Sequence, residues 1–299
     1  LFKQILIVGV GLIGSSFALG LRAAHGPLRV LGMDRDPSHL AQAQQLGIID
    51  AACDDWEQAM RGTELVVLAA PVAQTGAILR ALAPHLQSGT LITDTGSTKA
   101  DVVAAARAAL GEKIACFIPG HPIAGREKNG PQAALADLYR NKKAVLTPCA
   151  ENAAADVEKV ARAWRACGAI VHFLTPEQHD LIFAAVSHLP HLLAYALVDD
   201  IAHKPHADLL FQYAASGFRD FTRIAGSSPE MWRDISLANQ GALLNELDAY
   251  IIQLGRVRSQ LAARDGAALQ AVYANAQQAR HDWIRMIELG EKAAREGGD

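Results

Sequence analysis

The sequence predicts an α/β domain built on a mostly parallel sheet, followed by a domain made only of helices. Three observations carry this. Short buried-strand runs alternate with helical stretches through the first half of the chain. The first of those strands runs into a glycine cluster at the head of a helix. After Pro176 the strand runs stop, and apolar residues recur at spacings of three and four. A length of 299 residues suggests two domains.

Residues 4–8 (QILIV) are a buried-strand run, glycines follow, a helical stretch reaches about Ala24, and residues 28–34 (LRVLGMD) are the next strand. The pattern continues with a helix near 37–46, a strand at 64–71, a helix near 74–84 and a strand at 89–97. Further strands at 115–120, 143–148 and 169–174, with a helix at about 152–167, complete a first domain of residues 1–174. Such alternation implies a sheet covered on both faces. Residues 175–299 read as helical, as in LLNELDAYIIQLGRVRSQLAA (243–263), with breaks at 202–208, 225–231 and 263–266. A helical domain this apolar, with no sheet to lean on, is expected to bury part of itself against a second copy, giving a homodimer.

Composition narrows the function classes. Hydrophobic residues make up 51% and charged residues 20%, which is globular usage and not disorder. The net charge is −3 and the 28 Lys and Arg residues are scattered, so no nucleic-acid partner is expected. Cys53, Cys116, Cys149 and Cys167 are far apart with no Cys-x-x-Cys pair, which argues for reduced thiols in the core and a cytoplasmic location. The opening run ILIVGVGLIGSSFALGL imitates a signal peptide or membrane segment, but its glycines and serines fall where a strand turns into a helix, so no membrane is expected.

VGVGLIG places Gly9, Gly11 and Gly14 in G-x-G-x-x-G spacing between strand and helix, and Asp34 ends the second strand. This is the Rossmann-type dinucleotide fingerprint. The first glycine permits the turn, the second lets backbone approach a pyrophosphate, the third lets helix pack on strand, and the helix N-terminus supplies unpaired N–H groups. Asp34 would accept hydrogen bonds from a ribose 2′-hydroxyl, which favours NAD. Arg35 would clamp a 2′-phosphate if Asp34 turned away, which keeps NADP open.

Ligands in such sheets bind beyond the carboxyl ends of the strands, where TDTGSTK and IPGHPIAGREKNG both fall. Oxidising an alcohol needs a base for the hydroxyl proton, and His121, held between Pro119, Gly120, Pro122 and Gly125, is the candidate. Ser97 either orients that imidazole or caps the following helix. Glu127 and Lys128 either serve the site or are solvated.

The motifs GVGLIG, DTGSTK, GHPIAGREKNG, PEQHD, VSHLPHLLAYAL and GFRDFTRIAGSSPEMWRDI resemble the prephenate and arogenate (cyclohexadienyl) dehydrogenases of tyrosine biosynthesis over nearly the whole chain. The resemblance implies oxidative decarboxylation of prephenate or arogenate: hydride leaves the hydroxyl-bearing ring carbon, carbon dioxide departs and the ring becomes aromatic. It implies that His121 hydrogen-bonds the ring hydroxyl with help from Ser97, and that Arg223 anchors a substrate carboxylate. His179, Asp180 and His191 match polar positions that shape the family's site, His179 either as a direct substrate contact or as a partly buried histidine paired with Asp180, while Glu127 and Trp232 match its gating and dimer-contact residues. Arg126 lies where the family varies, and a cation there would favour prephenate or simply be solvated.

His188 and His191 stand at i, i+3 spacing with no third ligand at suitable spacing, so no metal is expected. Two rival readings are weighed. A β-hydroxy-acid dehydrogenase of similar domain order usually relies on a lysine in its helical domain, and here Lys204 precedes a proline and Lys292 lies in the tail. A non-catalytic NAD sensor would keep the glycines and Asp34 with no reason to hold His121, Ser97 and Arg223 together.

Overall fold

The computed structural model describes residues 1–126 and 128–296. The N-terminal layers run β1 (Gln4–Val8), α1 (Leu12–His25), β2 (Arg29–Met33), α2 (Pro37–Gln45), β3 (Ala51–Ala52), α3 (Trp56–Met60), β4 (Leu65–Leu68), α4 (Thr75–Leu82), β5 (Leu91–Asp94), α5 (Ala100–Leu110) and β6 (Phe117–Ile118). All six strands are parallel, in the order β3-β2-β1-β4-β5-β6, with Ile5 paired to Val30 on one side and Leu65 on the other. The order reverses between β1 and β4, which opens a crevice at their carboxyl ends.

Alternation along each strand divides the core in two. Ile5 and Ile7 point to one face, where they meet Phe17 and Leu21 of α1; Leu6 and Val8 point to the other, with Met60, Leu79 and Val102 of α3, α4 and α5. The first face is closed by α6 (Ala154–Ala166), whose Trp164 packs edge-on against Phe17 and Tyr139 at 4.7 and 5.2 Å.

The expected strand at 115–120 is split. Pro119 has no N–H to donate, so β6 ends at Ile118 and the chain changes sheet, entering β7 (Gly120–Pro122). There β7 pairs antiparallel with β8 (Lys143–Leu146), which pairs parallel with β9 (Ile170–Phe173). The first domain therefore carries a second, mixed sheet. The expected strand at 89–97 is only β5, and the residues after Asp94 form a loop. The short β3 and α3, and α5, have no counterpart in the periodicity reading. In α5 (ADVVAAARAAL) the chain is alanine-rich, with high helix propensity and little apolar contrast between its faces.

From Pro176 the chain is helical. It runs through α7 (Pro176–Phe183), a π turn (Ala184–His188), α8 (Leu189–Ala202), α9 (Ala207–Gln212), α10 (Ser216–Thr222), a 3-10 turn (Arg223–Gly226), α11 (Pro229–Ala238), α12 (Gln240–Ala262) and α13 (Gly266–Glu296). By compactness the chain divides into Leu1–Leu243 and a unit starting at Leu244, because α7 to α11 pack with the α/β layers. The opening apolar run is β1 and α1 of the core. One helical run among the described residues, Pro176–Ala202, is long and apolar enough to cross a membrane by length and composition. It nevertheless carries His179, Asp180 and His188, all buried and hydrogen-bonded within the fold.

Candidate active site

The turn after β1 is tightly built. Gly9 has φ +97°, and a Cβ there would lie 2.6 Å from the Ala69 carbonyl oxygen; one on Gly14 would lie 2.4 Å from the Gly9 oxygen. Among the described residues nothing lies within 4 Å of a Cβ built on Gly11, so that side of the turn is open for a ligand to approach. Gly11 precedes the first turn of α1 and borders two adjoining clefts, of about 450 and 920 Å³. The larger cleft runs past Asp34 and Trp56; the smaller ends at Ser97 and His121, and Arg35 and His39 border both. The shape suits an extended dinucleotide lying across the crevice.

Asp34 does not turn away from its cleft. Its Oδ2 accepts the Val10 N–H and its Oδ1 the Asp36 N–H, both at 2.9 Å. Two backbone N–H groups thus hold the carboxylate at the end of β2, where a 2′-hydroxyl would be received.

His121 sits on β7, opposite Val145, with part of its ring lining the smaller cleft. Its Nδ1 lies 2.8 Å from His179 Nε2, and His179 Nδ1 lies 2.8 Å from Asp180 Oδ1. Asp180 also accepts the N–H groups of Lys99 and Ala100, one on each carboxylate oxygen, at 2.8 Å. Burial pushes the Asp180 carboxyl up, but the bonds from His179 and those two N–H groups outweigh it and hold it below its usual range.

An ionised carboxylate is acceptor-only, so the ring protons can be assigned. His179 donates from Nδ1 and accepts at Nε2, and His121 donates from Nδ1, which leaves the lone pair of its neutral ring on Nε2. Burial, followed by the nearby His179, Lys99 and His188, lowers the His121 pKa well below that of a free histidine. His179 is also lowered, first by burial, with the Asp180 bond pulling the other way. The arrangement leaves His121 a neutral ring with a lone pair on Nε2.

Ser97 lies in the loop after β5 and lines the same cleft. It does not cap α5: the N-cap residue is Lys99, and the orphan N–H groups are taken by Asp180 from α7. The Ser97 backbone acts on buried His188, raising a pKa that burial, the larger effect, lowers to about 4. His188 Nδ1 lies 3.1 Å from Asn239 Nδ2, which also donates to the Asp180 carbonyl at 2.7 Å. The π turn widens the helix at this point, a feature that often marks functional sites.

His191 donates from Nδ1 to the Ser187 carbonyl at 2.8 Å and stacks on Trp232 with ring centroids 3.6 Å apart. Its pKa is lowered by burial, raised by the Ser187 bond, and lowered again by the Arg223 charge, which places Arg223 electrostatically close. Arg223 opens the 3-10 turn before α11. Trp232, expected at a gate or dimer contact, packs inside its own chain between His188 and His191. Arg126 lines the smaller cleft and reaches the Ala133 carbonyl at 3.5 Å; Glu127 lies outside the described residues.

The structure thus brings His121, Ser97 and the glycine turn to one cleft, places His179 behind His121, and groups His191 with Arg223 and Trp232. Lys204, the lysine weighed for the β-hydroxy-acid reading, is exposed and paired with Asp200 at 2.8 Å. No group of three His, Cys, Asp or Glu side chains suited to a metal is found among the described residues. Sequence reasoning passed over Asp94, Lys99 and Asn239, and considered His188 only as a metal ligand. A usable signal existed: two charges five residues apart, at the end of a buried strand, each need a buried partner.

Comparison with known proteins gives a consistent result. Residues 17–173 match the family model for the prephenate dehydrogenase nucleotide-binding domain, and residues 175–275 match the prephenate dehydrogenase dimerization domain. The chain is 37% identical to the cyclohexadienyl dehydrogenase of Zymomonas mobilis, over 93% of this chain and 95% of that one. It superposes on the prephenate dehydrogenase of Aquifex aeolicus, solved in complex with hydroxyphenyl propionate and NAD+, with TM-score 0.86 and 35% identity over 97% and 99% of the two chains. Arogenate dehydrogenase from Synechocystis matches with TM-score 0.79 and 28% identity, over 94% and 99%.

Proposed function

The chain belongs to the prephenate dehydrogenase family, and on that footing we propose that it catalyses the oxidative decarboxylation of prephenate, arogenate or both, with His121 receiving the ring hydroxyl proton. It is an NAD-dependent oxidoreductase. The observation that supports the residue roles best is the protonation pattern of the Asp180, His179 and His121 chain, which leaves a basic Nε2 on the His121 ring that borders the cleft.

Gly9, Gly11, Gly14 and Asp34 hold the dinucleotide, with Arg35 at the rim. A dinucleotide held there would supply the hydride acceptor for the hydroxyl-bearing ring carbon. His121 takes the hydroxyl proton at Nε2 and returns it to the phenolic oxygen once carbon dioxide has left, so no net proton is consumed. His179 and Asp180 keep the ring in the one tautomer that can do this and spread the charge of the transient imidazolium. Ser97 orients the hydroxyl. Arg223 offers a planar fork to a substrate carboxylate, with His191 and Glu127 as further substrate contacts. Residues 1–174 act as the nucleotide-binding part and residues 175–299 as the substrate and dimerisation part of a cytoplasmic homodimer.

The test is the absorbance of reduced cofactor with prephenate and arogenate, each crossed with NAD and NADP. The expected result is turnover of at least one substrate with NAD. If neither substrate is oxidised with either cofactor, the activity assignment is wrong.

A further inference from the structure

Asp94, the last residue of β5, and Lys99, just before α5, form an ion pair from which solvent is excluded, and neither borders the cleft. Such a pair adds little to stability over an apolar packing, so stability alone is a weak reason for it. Its hydrogen bonds suggest another. Asp94 Oδ1 accepts the Gly120 N–H at 2.9 Å, while Lys99 Nζ donates to the Gly120 carbonyl at 2.8 Å, so both backbone groups of the residue before His121 are held by the pair. Asp94 Oδ2 accepts the Gly96 N–H at 2.8 Å, which holds the residue before Ser97.

Packing tightens the grip. A Cβ on Gly120 would lie 3.0 Å from the Asp94 carbonyl oxygen and 3.1 Å from Leu146 Cδ2. Lys99 also ties the front of the site to its back, because its backbone N–H donates to Asp180, the end of the chain that runs through His179 to His121.

We propose that the Asp94–Lys99 pair is a positioning clamp that bridges the two sheets and sets the separation and direction of the His121 and Ser97 side chains. It rests on the reading of His121 as the base. The charged and titratable groups around that ring are Lys99 before α5, His179 of α7 and His188 of the π turn, with Asp94 and Asp180 behind them. Of these groups Lys99 is the lysine cation that disfavours the protonated ring, so removing its charge should let His121 protonate at higher pH.

The neutral pair Asp94→Asn with Lys99→Met tests this in the full-length enzyme. A displaced base is expected to lower kcat by about 100-fold, with NADH affinity kept. In a His121→Asn background the same change should cost nothing further, which a merely structural role would not produce. The His121 ring titration, followed by NMR with ring-labelled histidine, should move up. Should that variant fail to fold, Gly120→Ala keeps the charges and displaces only the clamped residue, with the same kcat loss and the same absorption by His121→Asn. Wild-type kcat in either folded variant, losses that simply add to that of His121→Asn, or an unmoved titration in the neutral pair would overturn the clamp. A wild-type enzyme that oxidises neither substrate sinks the activity reading instead; a shifted His121 titration in Gly120→Ala, which keeps both charges, needs no substrate and still decides the clamp.

Discussion

At the scale of the residue, the proposed role of His121 falls to the nitrogen it does not share. Its Nδ1 is committed to His179, so substitution by asparagine removes the base while keeping a polar group on β7. We expect His121→Asn to lower kcat/KM by about 100 to 10,000-fold, with cofactor affinity measured by fluorescence unchanged. The acid limb of the wild-type kcat/KM profile should lie below 6.5, the ordinary histidine value, because burial and the neighbouring cation disfavour the protonated ring. An acid-limb midpoint at or above that value would show that His121 is not the neutral base. His121 was legible in the sequence because its constraints are local: two prolines and two glycines flank it. Asp94, Lys99 and His188 were not, because the partners that explain them lie in other elements. Gly120 is 21 residues beyond Lys99, and Asn239 is 51 beyond His188.

At the scale of the element, the helical run from Pro176 to Ala202 links stability to chemistry. Its start is written locally: Thr175 and Gln178 form a capping box around Pro176, a readable signal. Its other task, capping α5 through Asp180, spans 80 residues and has no local signature. Asp180→Ala would strip both N–H groups of their acceptor and leave His179 without its partner. We expect a loss of about 2–4 kcal/mol in urea unfolding, together with a fall in kcat that Asp180→Asn partly restores. The same run carries His179, His188 and His191, all lowered by burial. The unfolded chain therefore binds protons that the fold refuses as pH drops below about 6.5, and stability must fall with pH there. For His188, lowered from 6.5 to about 4, the loss between pH 7 and pH 5 is about 2 kcal/mol. His188→Gln should flatten the slope by that amount in denaturant titrations at the two pH values; an unchanged slope would mean that His188 is charged in the fold.

At the scale of the whole molecule, the two sheets explain how a helix–strand alternation that looked like one layer system makes a site at its seam. Pro119 moves the chain from the large sheet to the small one directly before His121, so the base is delivered from a different sheet than the glycine turn and Ser97. The C-terminal unit poses the opposite problem, for it shows much apolar surface. In α12, Ile251 and Ile252 are more than half exposed, and in α13 so are Tyr273, Met286 and Leu289. Single exposed apolar residues are ordinary, but a series along two long helices is what an obligate interface leaves when one copy is viewed alone. The family model over residues 175–275 is a dimerization domain. We expect sedimentation equilibrium to give twice the 31.9 kDa chain mass, and Ile252→Glu, which would bury a charge at such an interface, to shift the equilibrium toward monomer. Because an obligate dimer has no separate monomer stability, the wild-type melting temperature should rise with protein concentration, and that of the variant should lie lower at every concentration. A monomeric wild type with a concentration-independent melting temperature would refute the homodimer, and the apolar faces of α12 and α13 would then need another partner.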